Sequence, residues 1–288
     1  MIMSMRSKII LIILCFFLSV MLMSCITHKN DNLQRIFDRH QQYVSSGQFQ
    51  LAIDGYKQML DDYPYEAQVV DNFIRTVENI NTAADSAYKG KNYSHALEVY
   101  NLLLDNFPNF WSFRNSLSFD EESLKLKQRS CRIDKCETEV NHEIRTGDYM
   151  QALKSYRPLF HEYHNNKSLN QNFSKTVSRI YNREEKAFKS KDLAAAGYIN
   201  YVLLENYDLI ERFIPSLPFS KKSLEEGKKM CRDSLIKMGL DCYRKGDLQG
   251  AISNWKGILK FDPQNVEIRK AIDSSEEQLE KIKKQPHI

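Results

Sequence analysis

The chain has 288 residues, 42% of them apolar, with 41 Lys and Arg against 37 Asp and Glu for a net charge of +4. That apolar share excludes a disordered tail, and so small a net charge argues against nucleic acid as the main partner. Ten Gly and seven Pro are too few for an all-β sandwich or barrel, and six Cys are too few for a disulfide scaffold, which leaves a folded helical protein.

Arg6 and Lys8 lead into an apolar run from Ile9 to Met23, broken only by Ser19. As a helix this run of 15 residues covers roughly 22 Å, short of the ~30 Å hydrocarbon core, so a secretory signal fits better than a membrane span. Leu22-Met23-Ser24-Cys25 resembles the lipobox of bacterial lipoproteins. The resemblance implies that residues 1–24 are removed as a signal peptide and that Cys25 becomes the first residue of the mature chain. Its thiol would carry diacylglycerol and its amine an acyl chain, with no other cofactor. Several chains on one residue make attachment durable where one alone is reversible. Residues 25–33 then read as a lipidated tether, and Ile26 in place of a retention Asp implies the outer membrane in a Gram-negative cell.

The rest of the chain repeats. Shifted by 100, residues 41–132 fall on 141–232 with 24 identities in 92 positions and no gap. Each copy holds two smaller units with a common frame: Gly or Lys, then Ala, an aromatic, an apolar residue and often Pro, a slot that His164 and Asp208 fill in the second copy. The frame reads Gly47, Ala52, Tyr56, Met59, Pro64, then Lys91, Ala96, Tyr100, Leu103, Pro108. The second copy has Gly147, Ala152, Tyr156, Leu159, then Lys191, Ala196 and Leu203, with Asn200 in the aromatic slot. A fifth unit is the cleanest: Gly239, Gly246, Asp247, Ala251, Trp255, Ile258, Pro263. Gly, or Lys followed by Asn or Asp, breaks the chain between two helices, where positive φ suits Gly or Asn. Ala lets the second helix approach the first, the aromatic and apolar residues continue one buried stripe, and Pro ends the helix.

This frame resembles the tetratricopeptide repeat, a helix–turn–helix that stacks into a solenoid. The resemblance implies an all-α, irregular solenoid with a tandem duplication. Its sections are 34–132, 133–232 and a C-terminal hairpin with a charged capping helix, 233–284. The turn slots lie 44, 56, 44 and 55 residues apart, wider than the family's spacing of about 34. The surplus predicts a long helix from Glu66 to Tyr88 and aromatic-rich connectors at 107–119 and 207–219. An ordinary bundle built by duplication is the alternative.

No nucleotide-binding loop, H-E-x-x-H, nucleophile elbow or C-x-x-C occurs. His161 and His164 share a helical face, but two ligands do not complete a tetrahedral site, and a solvated helix end is expected there. Cys131, Cys136, Cys231 and Cys242 are expected to be buried free thiols. No catalytic residue and no metal ligand is assigned, and the chain is read as a non-enzyme. The expectation is a membrane-anchored scaffold that binds envelope proteins through its helical surface, with Phe110, Trp111, Phe113 and Phe213 as the candidate interface. Packing between repeats is the competing role for those rings. The alternative function is a lipoprotein that captures glycan or peptide.

Overall fold

The computed structural model describes residues 31–64 and 66–284, so Cys25 and the lipobox lie outside the described residues. The protein is all-α, and no strand occurs among the described residues. The described residues begin in α1, helical over 31–45, and continue with α2 (Phe49–Asp62), α3 (Ala67–Lys89) and α4 (Tyr93–Asn106). Two short 3-10 turns, Phe107–Phe110 and Arg114–Ser116, lead to α5 (Glu121–Thr146). There follow α6 (Tyr149–Lys154), α7 (Arg157–Tyr163), α8 (Lys167–Lys189), α9 (Leu193–Glu205) and α10 (Tyr207–Phe213). The chain continues with α11 (Lys221–Arg244), α12 (Leu248–Leu259) and α13 (Val266–Lys284). These form two compact units, the first ending at Lys135 and the second beginning at Cys136, inside α5. The C-terminal hairpin, expected as a separate section from 233, belongs to the second unit. Its Trp255, Ile258, Ile268 and Ile272 share one core with Ala196 and Cys231.

All five turn slots adopt positive φ: Gly47 at 76°, Lys91 at 60°, Gly147 at 86°, Lys191 at 61° and Gly246 at 80°. In each turn the next N–H bonds back five residues, as in Gln48 to Tyr43, Asn92 to Ala87 and Asp148 to Glu143, at 2.8–2.9 Å. The same bond joins Asp192 to Ala187 and Asp247 to Cys242. This is the Schellman arrangement, which satisfies carbonyls a helix end would leave orphaned. The left-handed residue is the lysine itself, not the Asn or Asp beside it. Asn92, Asp148, Asp192 and Asp247 instead accept from a backbone N–H of the following helix as N-caps.

The five Ala of the frame are fully buried, and Tyr56, Tyr100, Tyr156 and Trp255 nearly so. α3 and α8 run over equivalent residues and bury the same side chains: Phe73 and Phe173, Thr76 and Thr176, Val77 and Val177, Ile80 and Ile180. The copies part where the sequence requires it. Pro158 stands where the first copy has Gln58. Lacking an N–H, it interrupts the helix between α6 and α7, whereas α2 is continuous. Tyr207–Phe213 has no proline and forms α10 where a connector was expected, while Pro108 holds its equivalent to a 3-10 turn.

Candidate functional site

The expected aromatic interface is corrected by burial. Phe110 and Phe113 are 0% and 4% exposed and pack edge-on against Phe73, with centroids 5.8 and 5.0 Å away. Phe213 is half-buried, stacked on Phe160 at 3.7 Å. Phe160 in turn packs on Phe173 at 5.0 Å. Thus Phe73 and Phe173 are equivalent hubs, met in one unit by Phe110, whose counterpart Ile210 is buried, and in the other by Phe160, whose counterpart Leu60 packs on the first unit's core. The aromatic volume has changed places between two helices while the core stayed filled. Of the four candidates only Trp111 faces solvent, 69% exposed, with the Arg114 guanidinium 3.5 Å above its ring.

The frame residues are structural. The Tyr56 and Tyr156 hydroxyls bond Thr76 and Thr176, and Tyr156 also donates to Glu137 at 2.9 Å. Tyr100 donates to Asp85 at 2.7 Å, and the Lys127 ammonium reaches Asp85 at 2.9 Å and Asn81 at 3.0 Å. In the second unit Asn200 replaces the tyrosine and donates to Glu184 at 3.0 Å. Gly227 occupies the lysine's place, and a Cβ there would lie 2.9 Å from Asn200 Nδ2. Among the described residues Glu184 meets an amide and no cation, and burial raises its pKa above the usual glutamate value.

Cys131, Cys136 and Cys231 are buried free thiols, as expected. Burial pushes Cys131 and Cys231 up to about 11 and Cys136 up to about 12. Cys242 departs from the expectation: it is half-exposed, with Asn254 Nδ2 3.9 Å from its sulfur. His161 and His164 are exposed at the end of α7. Among the described residues no three His, Cys, Asp or Glu side chains gather as a metal site.

The most distinctive surface lies on the second unit, where α5, α6, α8 and α9 adjoin. Arg183 on α8 donates to the Tyr149 hydroxyl at 3.0 Å and sits 5.7 Å from its ring. Tyr149 lies 6.2 Å from Tyr198 on α9. Both tyrosines, with the turn 146–148, Ala195 and Lys260, line a cleft of about 550 Å³. One turn back along α8, Arg179 donates to the Asn141 side-chain carbonyl at 2.5 Å, and Arg145 donates to the Asn141 backbone carbonyl at 3.3 Å. Beyond Tyr198, Tyr201 carries the Lys228 ammonium 5.0 Å from its ring. The first unit has none of this: the equivalents of Arg145, Arg179, Arg183, Tyr198 and Tyr201 are Ser45, Asn79, Ala83, Glu98 and Asn101. These residues escaped the sequence reading because it followed the matches between the copies. Their signal was in the mismatches, where α3 carries two cations against three anions and α8 six against two.

No family model matches the chain, and no curated protein is similar to it. Among the described residues no helix is long and apolar enough to cross a membrane.

Proposed function

We propose that this chain is a lipid-anchored, non-catalytic scaffold of the tetratricopeptide-like kind, binding other proteins of the bacterial envelope through its helical hairpins. The anchor in this reading is the acylated Cys25, with the outer membrane as its destination in a Gram-negative cell. One observation carries the docking role: α3 and α8 keep much of one buried stripe while their outer faces differ. Phe73, Thr76, Val77 and Ile80 recur unchanged at 173, 176, 177 and 180, whereas the surface around Asn79 and Ala83 becomes the arginine and tyrosine surface around Arg179 and Arg183. Packing retains interior residues, but it places no demand on a guanidinium as exposed as that of Arg179.

The test has two arms. Cys25→Ala should release the protein from the membrane fraction, and a variant still sedimenting with membrane refutes the anchor. Crosslinking of the anchored chain should recover specific envelope proteins, and recovery of none refutes the scaffold. A second reading, capture of a glycan by a surface lipoprotein, draws on Tyr149 and Tyr198 flanking the cleft. A sugar array probed with the full chain tests it.

A further inference from the structure

From the arginine and tyrosine seam of the second unit we infer that this surface is a docking groove for an acidic, extended segment of a partner protein. The inference rests on the scaffold reading and specifies what the scaffold grips. Three guanidiniums define the groove. Arg145 and Arg179 converge on Asn141, and Arg183 is held by the Tyr149 hydroxyl. Every hydrogen bond they make goes to a neutral group, so their positive charge is not matched by an ion pair within the described residues. Neither Glu137 nor Asp148, which lines the cleft, pairs with these guanidiniums within the described residues. Glu137 accepts from Tyr156 and Asn141, and Asp148 accepts from the Gln151 N–H as the cap of α6.

Spacing along the helices orders the groove. Lys175, Arg179, Arg183 and Lys186 fall within one face of α8, because residues three and four apart are neighbours on a helix. On α5, Asn141 and Arg145 stand in the same relation, and after the turn at Gly147 the chain brings Tyr149 on α6 to Arg183. The charged row therefore runs into the tyrosine-lined cleft, and continues past Tyr198 to Tyr201 and Lys228. An occupant must present carboxylates to the arginines and apolar or aromatic side chains to the tyrosines.

The choice between an acidic peptide and an anionic bilayer follows from shape and from the type of cation. Guanidiniums held in place present planar forks that pair with carboxylates in two parallel hydrogen bonds. Arg183 is half-buried and held by Tyr149 at the edge of the cleft, a fixed geometry that suits the carboxylates of a chain segment laid along the seam. The same positions in the first unit are Ser45, Asn79, Ala83 and Glu98, so that unit serves as an internal control.

The experiment uses the full chain in detergent and a fluorescent peptide of alternating Glu and Leu, with a Lys and Leu peptide for comparison, read by anisotropy. The acidic peptide should bind saturably and release with added salt, and the basic one should not bind. Arg179→Glu with Arg183→Glu should weaken binding roughly tenfold or more. Asn79→Glu with Ala83→Glu in the first unit should leave it unchanged. Tyr198→Glu, which installs the first unit's residue, should also weaken binding, and circular dichroism verifies the helix content of each variant. Absence of saturable binding, an equal loss in the first-unit control, or stronger binding to phosphatidylglycerol vesicles than to the peptide overturns the inference. If the charge-reversed chain still crosslinks to its envelope partners, the groove is wrong and the scaffold reading survives; if the native chain crosslinks to nothing, the scaffold reading itself fails.

Discussion

Lys91 and Lys191 stand one hundred residues apart and hold the same unusual backbone, with φ of 60° and 61°. Each is the left-handed residue of a Schellman turn whose three counterparts, at 47, 147 and 246, are glycines. A side chain in this conformation crowds the following carbonyl, and glycine does not. Lys91→Gly and Lys191→Gly should each stabilise the fold by about 1 kcal/mol. Urea denaturation checks this, and a loss of stability in both variants would contradict the turn assignment.

The connector aromatics separate core from surface within two adjacent residues. Phe110→Ala removes a ring packed on Phe73 and should cost about 3–5 kcal/mol, whereas Trp111→Ala should stay within about 0.5 kcal/mol of the parent. Fluorescence provides an independent check. Iodide should quench Trp111 and spare Trp255, which is only 4% exposed.

Glu184 gives the second unit a pH dependence of defined sign. Its pKa is raised in the folded state by burial, so folding favours the protonated acid. The folded protein then binds this proton more tightly than the unfolded chain, and stability falls as pH rises from the unfolded glutamate value through the raised folded one. Glu184→Gln keeps the acceptor for Asn200 and removes the charge. It should therefore raise the melting temperature near neutral pH and leave it nearly unchanged at about pH 4. Equal shifts at both values would show that the charge is not the cause.

The thiols should react in an order set by burial. A thiolate is the reactive species, and Cys131, Cys136 and Cys231 are both buried and shifted upward. Alkylation of the native chain near neutral pH should label Cys242 first among these four, and the other three only after denaturant is added. Peptide mapping by mass spectrometry reads the order.

The two kinds of frame slot differ in how legible they were. The turns were readable from residue types because a Schellman motif closes within six residues of chain, so its chemistry is local. The buried Ala and aromatic slots were readable because helical period places them on one stripe. Phe110 and Phe113 were not assignable in the same way. Their burial depends on Phe73, brought from α3 more than thirty residues earlier, and no local pattern distinguishes a ring that meets such a partner from one, like Trp111, that does not.

By itself the sequence determined that this protein is helical, duplicated and turned at five marked positions, since propensity, period and backbone sterics act over a few residues. Only the tertiary structure decided which aromatic rings are core, that Cys242 is partly exposed, and that Arg145, Arg179 and Arg183 gather beside Tyr149 and Tyr198. Those groups come from four helices, and their charge and geometry become a surface only when packing sets the helices side by side.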